Sequence, residues 1–245
     1  MFAAHPRGVF GAIVAEAGSL EDWRHYPDGE VYDPISHAQY FYHCHPTAQR
    51  RGREHGHFHT FLRAEGMPEG VAPLVLPETA VADAPPPPQA APLKHGIRDE
   101  ISHLVAIALD PRGEPIRLFA TNRWVTGETW YRADDVIHML DRFMIGETEG
   151  PALLNRWISA MVALFRPQIE TVLRMRDDTV VTWRRRRRGN IFEDVRLEVL
   201  CGVELDLDDQ FAFLSRTRSE FGVNQCAGTM RLPPMAEGWD ESHAG

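Results

Sequence analysis

The chain is poor in cysteine and in lysine. Its 245 residues include three cysteines, Cys44, Cys201 and Cys226, which lie far apart and form no CxxC pair. This spacing excludes a zinc ribbon with four cysteine ligands and predicts free thiols in a reducing compartment. Lys94 is the only lysine. Schiff-base or pyridoxal chemistry would therefore depend on one residue beside a proline-rich segment, and we do not expect it.

The chain also lacks long apolar runs and an excess of positive charge. No apolar run approaches the roughly 20 residues that span a bilayer, and the segment from Val9 to Ala17 has no basic region before it. We therefore expect no membrane association and a cytoplasmic location. The net charge of −9 is opposite to that of a general nucleic-acid binder. We interpret the run Arg184–Arg188 as a solvated helix end, with an anion or nucleic-acid patch as the alternative.

Several common catalytic motifs are missing as well. The sequence contains no Walker A loop, GxGxxG, HExxH or GxSxG pattern. Nucleotide-dependent chemistry and a triad hydrolase therefore have no support from the sequence.

The apolar pattern predicts strands first and helices afterwards. Helical spacing is confined to 9–23 and to the segments 133–143, 152–165 and about 168–183, with a short capped helix after residue 206. Period-two or near-continuous apolar segments, typical of strands, lie at 38–45, 55–63, 101–110, 115–121 and 195–205. The stretch from Trp23 to Pro34 is predicted to be an ordered loop.

These elements predict an α+β fold. We expect an antiparallel sheet of about four to five strands with the carboxy-terminal helices packed on one face. The chain is predicted to form a single domain over 1–245. It would carry a Pro/Ala-rich surface excursion at about 64–99 and a flexible tail at about 222–245.

Histidine is concentrated in one short segment. Six of the twelve histidines lie within the 23 residues from His37 to His59, and five of them alternate with other residues in the runs HCH at 43–45 and HGHFH at 55–59. A β-strand places every second side chain on one face. Two such strands in a hairpin would gather several imidazoles, the commonest side-chain ligands of transition metals.

The hairpin has a natural register. If residues i and j pair so that their numbers add up to 100, His45 faces His55 and His43 faces His57. Opposed Cβ atoms then lie about 4.5–5.5 Å apart. Three of these imidazoles could close around a metal with bonds of about 2.0–2.1 Å. A slip of one residue would instead put the two sets on opposite faces.

The predicted ligands are His43, His45, His55 and His57, with His59 as an alternate. His55 and His59 lie about 13 Å apart along a flat strand and cannot share an ion unless the strand bends. The other candidates near the site are Glu54, as a ligand, a partner of a ligand or a general base, and His37 or His103 as a fourth ligand. Cys44 points to the opposite face in a regular strand.

A second candidate segment follows the strand at 115–121. Arg123 could bind a carboxylate, Trp124 or Trp130 could stack on a ring, and Glu128 could titrate. The alternative is that these residues only cap a helix and pack in the core.

The chain resembles a known group of sequences. The stretches YFYHCHP, REHGHFHTFLR, SHLVAIALD and LFATNRWVTGETWY together resemble an uncharacterised bacterial family of unknown function, over roughly residues 23–213. EHGHFHTF and TNRWVTGETW are the specific parts. The resemblance implies no activity, so the functional prediction depends on the residues alone.

The leading hypothesis is a metal-dependent enzyme with a divalent transition metal, zinc or iron, and a small-molecule substrate. Glu54 and Arg123 are the candidate catalytic residues, and Arg123 and Trp124 the candidate substrate-binding residues. Zinc would favour hydrolase or lyase chemistry, and non-haem iron would favour oxygen chemistry. The alternatives are a non-catalytic module that binds a metal or a small anion, and a purely structural histidine face.

Overall fold

The computed structural model describes residues 11, 13, 19–50, 52–74, 100–147 and 149–220, with only the backbone for 218–220. The chain divides into two compact units, Met1–Leu207 and Asp208–Gly245. The predicted single domain stays a prediction. The predicted tail at 222–245 and most of the segments 9–23 and 64–99 lie outside the described residues.

The first unit is built on one antiparallel sheet. Its strands follow one another in chain order across the sheet. They are Tyr26–Tyr32 (β1), Ala38–Cys44 (β2), Gly56–Arg63 (β3), Ile101–Leu109 (β4), Pro115–Thr121 (β5) and Val199–Glu204 (β6). The α+β class is confirmed, but the predicted count of four to five strands is wrong because the described residues form six.

The additional strand is β1, in the stretch predicted to be a loop. Its sequence, YPDGEVY, contains three residues that disfavour strands. It nevertheless pairs with β2, with a register shift between Tyr26 and Val31. Gly29 and Glu30 have φ values of 82° and 63° inside this irregular segment. An edge strand tolerates proline and a bulge that a central strand would not, which is why propensity alone missed it.

The β2–β3 hairpin has the predicted register. His43 pairs with His57 and Cys44 pairs with Gly56, so the residue numbers of each pair add up to 100. Gly56 is required at this position, because a Cβ there would lie 2.4 Å from the carbonyl oxygen of His43 and 2.5 Å from the hydroxyl of Tyr42. Since side chains alternate along a strand, the histidines lie on one face and Tyr42 on the other.

A bulge in β4 changes which side chains face the histidines. Thr60 pairs with Val105 and Phe61 with His103, so Leu104 has no partner in β3. Leu104 and Val105 both belong to the main hydrophobic core. In a regular strand without the bulge, His103 would lie two residues from Val105 on the core face, so the bulge turns His103 towards the histidine face.

Helices cover the opposite face of the sheet. The apolar side chains of Tyr42 and Phe58 form one core with Val136, Ile158 and Val172 from three helices. The first unit contains the helices Arg123–Thr126 (α1), Ala133–Met139 (α2), Ala152–Leu164 (α3) and Arg166–Arg186 (α4). The helix Leu207–Glu220 (α5) belongs mostly to the second unit. Short 3₁₀ helices lie at Thr47–Gln49, Ala64–Gly66, Leu140–Arg142 and Ile191–Glu193.

The long helix α4 begins where the sequence predicted a break. Pro167 lies in its first turn, where a proline costs no intrahelical hydrogen bond. Three arginines of the run at 184–188 lie in its last turn, as expected for cations near a helix carboxyl end. Within the described residues, no helix is both long and apolar enough to cross a membrane.

Candidate metal centre

The histidine face of the sheet forms the wall of a cavity of about 1200 Å³. Its lining combines imidazoles, aromatic rings and charged side chains from β1, β2, β3, β5 and the segment around α1. A cavity of this size exceeds what a metal ion needs and is somewhat larger than the roughly 300–1,000 Å³ of typical small-molecule sites. The five predicted ligands His43, His45, His55, His57 and His59 all line it.

Three of these histidines converge. His43, His57 and His59 are buried, and each offers one ring nitrogen within 4.8 Å of the other two. The Nε2 atoms of His43 and His57 are 2.8 Å apart. A tetrahedral zinc site with bonds of about 2.0–2.1 Å separates its ligand nitrogens by roughly 3.3 Å. Binding of an ion would therefore require the rings of His43 and His57 to move slightly apart.

The contacts between these nitrogens also favour a cation. The Nε2 atom of His43 lies 2.8 Å from Nε2 of His57 and 3.2 Å from Nε2 of His45. A neutral imidazole carries one proton, so Nε2 of His43 has either one N–H or one lone pair and must share it between the two contacts. A metal ion accepts lone pairs from all of them at once.

Contacts behind the ligands fix two of the rings. The Nδ1 atom of His57 lies 2.7 Å from Oε1 of Glu54. The second carboxylate oxygen of Glu54 accepts a hydrogen bond of 3.0 Å from Arg117. With the proton of His57 on Nδ1, its Nε2 lone pair points to the other histidines. This is the carboxylate–histidine arrangement that orients metal ligands.

His59 is held from the other side by His103. Its Nδ1 atom is 3.0 Å from Nε2 of His103, whose backbone N–H donates to the carboxylate of Glu128 at 2.9 Å. The β4 bulge is what brings His103 to this place. His103 therefore lies behind a candidate ligand instead of joining the three.

Burial favours the neutral form of several imidazoles at the site. Burial and the neighbouring imidazoles lower the pKa of His43 and lower the pKa of His59 well below the ordinary value. Burial, with smaller contributions from Arg176 and His57, lowers the pKa of His103 to about 3. Burial also lowers the pKa of His45, to about 4. The neutral ring is the form that binds metals.

Glu54 is ionised despite its burial. Burial alone would raise its pKa, but the hydrogen bond with His57 and the charge of Arg117 together hold it below the ordinary value. Both of its oxygens contact these partners. A carboxylate held in this way supports the ring of His57 and balances part of the charge of a bound cation.

The remaining predicted ligands differ from each other. His45 lies beside His43 at the mouth of the cavity but is not one of the three converging histidines. His55 turns away, and its Nδ1 atom is 2.8 Å from the hydroxyl of Tyr42. His37, considered as a fourth ligand, contacts the hydroxyl of Tyr32 at 2.6 Å.

Trp23 lies over the open side of the cluster. Its ring centroid is 4.2 Å from that of His45, and 52% of the residue is exposed. Its backbone has a φ of 68°, which is unusual for a bulky residue and costs free energy. The hydrogen bond from its N–H to the carbonyl of Cys44 helps to hold this conformation.

The segment around α1 reaches the same cavity. Arg123 and Trp124 both line it. The guanidinium of Arg123 pairs with Glu193, and the indole N–H of Trp124 donates to the carbonyl of Leu197 at 3.1 Å. Their predicted roles in catalysis and substrate binding stay predictions, as does the catalytic role of Glu54.

The sequence analysis did not single out Arg117 and Phe119. The guanidinium of Arg117 lies 4.5 Å from the centre of the Phe119 ring, which contacts His57 edge-on at 5.0 Å. A signal was present in the sequence PIRLFAT, where a charged residue interrupts an otherwise apolar central strand. Such a residue needs a buried partner, and that partner is Glu54.

Comparison with known proteins places the chain in a family. The family described as "Domain of unknown function (DUF6969)" matches residues 1–205, so the chain belongs to it. No curated protein and no solved structure matches the chain significantly.

The buried carboxyl of Glu128 makes stability depend on pH. Burial raises its pKa from 4.5 to about 7, against the opposing charge of Arg176. The folded state therefore binds a proton that the unfolded state releases, so the stability present below pH 4.5 is lost as the pH rises through about 7. We expect the free energy of unfolding, relative to that of Glu128→Gln, to fall by up to about 3 kcal/mol over this range.

Denaturant titrations of both proteins at pH 4.5, 6 and 8 measure this difference. Glu204→Gln, at an exposed position in β6, is the matched control: it keeps Glu128, so its stability should fall with pH as that of wild type does. A difference between wild type and Glu128→Gln that stays constant with pH would contradict the assignment.

Proposed function

We propose that this protein is a metal-dependent enzyme whose metal is held by His43, His57 and His59. The observation that carries the proposal is the convergence of these buried imidazoles on one wall of a cavity large enough for a small molecule. When bound, a divalent ion supplies Lewis acidity and lowers the pKa of a coordinated water. The family membership contributes no activity of its own.

The ligand set favours zinc over iron. Three histidines with an open position are typical of a catalytic zinc, whereas the common non-haem iron site contains two histidines and a carboxylate. Glu54 is the carboxylate nearest to the three among the contacts described, and both of its oxygens are engaged elsewhere. We therefore propose hydrolase- or lyase-type chemistry. Oxygen chemistry on iron is the competing hypothesis.

The surrounding residues have separate proposed roles. Glu54 orients His57 and is a positioning residue. Arg123 and Trp124 lie on the cavity wall, where they can position the substrate and, in the case of Arg123, stabilise negative charge on it. Trp23 restricts access from solvent on the side of His45.

One observation favours a second function. Nε2 of His45 is only 3.2 Å from Nε2 of His43, so His45 can complete a closed shell of four histidines. A closed shell leaves no position for a substrate and is typical of structural metal sites. The alternative function is therefore a non-catalytic metal-binding module.

Removal of the converging histidines should abolish tight metal binding. We expect one zinc per chain in untagged protein purified without chelator. The variants His43→Ala, His57→Ala and His59→Ala should each weaken zinc binding by at least about 100-fold, because each removes one of three ligands. Elemental analysis and zinc titration against a competing chelator measure this.

Two controls make the result specific. His138→Ala removes an exposed histidine, and His55→Ala removes the predicted ligand that turns towards Tyr42. Neither should change zinc affinity by more than a few-fold. His57→Gln, which keeps the size of the side chain, covers the case in which an alanine variant does not fold. The metal site would be refuted if wild type contained no zinc. It would also be refuted if the folded alanine variants of His43, His57 and His59 all kept the zinc affinity of wild type.

The fourth histidine separates the two functions. An open catalytic site predicts that His45→Ala retains zinc with only a small loss of affinity. A closed binding site predicts that His45→Ala loses as much zinc affinity as the alanine variants of His43, His57 and His59.

Glu54→Gln tests the positioning role. The amide cannot hold the Nδ1 proton of His57 as strongly, so we expect zinc affinity to fall by about 10- to 100-fold while the fold is retained. Glu30→Gln is the matched control, because Glu30 lines the same cavity but contacts His25 and Gln39 instead of a ligand. Equal zinc affinity in Glu54→Gln and Glu30→Gln would contradict the role.

A further inference from the structure

Strand β5 places the positively charged side chain of Arg117 in the cavity wall, close to the histidines. Arg117 and Phe119 both line the cavity, two residues apart and on the same face of the strand. Arg117 reaches the ligand His57 through a single carboxylate, that of Glu54. The guanidinium of Arg117 therefore lines the same cavity as the histidines and is linked to one of them.

The guanidinium is held in place and still has donors to offer. It has five N–H groups, and the described part of the chain engages one of them, through the 3.0 Å hydrogen bond to Glu54. Its plane is supported by the Phe119 ring at 4.5 Å, and 16% of the side chain is exposed. A fixed fork of this kind binds carboxylates through two parallel hydrogen bonds.

Arg123 is less suited to this role than the sequence predicted. Its guanidinium is in a short contact with Glu193. Glu54, the partner of Arg117, is also shared with His57 and thus with the metal site. Arg117 therefore has the weaker counterion and the shorter path to the site.

The charge around the proposed metal site favours the binding of an anionic ligand. Four arginines and three glutamates line the cavity, so their charges nearly balance: Arg50, Arg63, Arg117, Arg123, Glu30, Glu54 and Glu198. Three neutral histidines leave the full positive charge of a bound divalent ion in place. An anionic ligand at the open position would neutralise it.

Apolar and aromatic side chains form another part of the wall. Trp23, Phe41, Phe119 and Trp124 line the cavity together with Ile101 and Val199. Such a wall binds the ring or the hydrocarbon part of a ligand by burial and stacking. The carboxylate-binding group and the apolar surface are adjacent, because Phe119 also supports Arg117.

We propose that the cavity binds a small organic carboxylate with an apolar or aromatic body, whose carboxylate lies between the metal and Arg117. This inference rests on the proposed metal site and names the substrate class for it. The guanidinium selects the charged group, and the aromatic wall selects the body.

Benzoate and benzamide distinguish charge from shape. The protein is loaded with cobalt(II), whose visible absorption reports changes in coordination, and each compound is titrated in. We expect a saturable spectral change with benzoate and at least roughly 10-fold weaker binding of the neutral, nearly isosteric benzamide. Apo protein should bind benzoate more weakly than cobalt-loaded protein, as measured by calorimetry.

Substitution of Arg117 tests the second contact. Arg117→Gln should weaken benzoate binding by roughly 10-fold or more at the same cobalt content. The benzoate affinity of Arg117→Lys should lie between those of wild type and Arg117→Gln, because lysine keeps the positive charge but lacks the planar pair of donors. Arg112→Gln, at an exposed position in the β4–β5 turn, is the matched control and should bind benzoate like wild type.

The outcomes separate this inference from the proposed function. A wild-type protein that takes up no cobalt or zinc refutes the metal site, and the substrate class with it. Cobalt uptake with equal binding of benzoate and benzamide, or with unchanged benzoate binding in Arg117→Gln, overturns the carboxylate inference alone.

Discussion

The pairing of His43 with His57 is the constraint on which the rest of the site depends. In an antiparallel hairpin a slip of one residue exchanges the two faces of a strand, so this pairing places both histidine runs on the same side. The register is enforced from the other face, where Tyr42 and Phe58 are fully buried in the core beneath the helices. Gly56 adds a second constraint, because any side chain there would collide with β2.

The site is built from irregular features laid over this regular pairing. The β4 bulge turns His103 towards His59, and the irregular edge strand β1 brings Glu30 to the cavity. Glu54 lies just before β3 and contacts both His57 and Arg117. Buried polar groups are costly when unpaired, so these contacts stabilise the histidine face as well as orienting its rings.

The sequence was sufficient for the parts of the fold that follow from periodicity. The β2–β3 register, the β4–β5 hairpin and the α+β class could be predicted because alternation and turns specify them. The strand β1 could not, since an irregular edge strand carries no period. The same holds for the choice of His59 over His55, because a ring nitrogen's direction depends on contacts with Tyr42 and His103 that are distant in sequence.

X-ray absorption at the zinc edge of the metal-loaded protein tests the central claim most directly. The account predicts three or four nitrogen ligands at about 2.0–2.1 Å, with the outer-shell scattering of at least three imidazole rings. That signal should be lost in a folded His43→Ala/His57→Ala variant. A sulfur ligand at about 2.3 Å, or a coordination shell without imidazole, would contradict a metal centre on the histidine face.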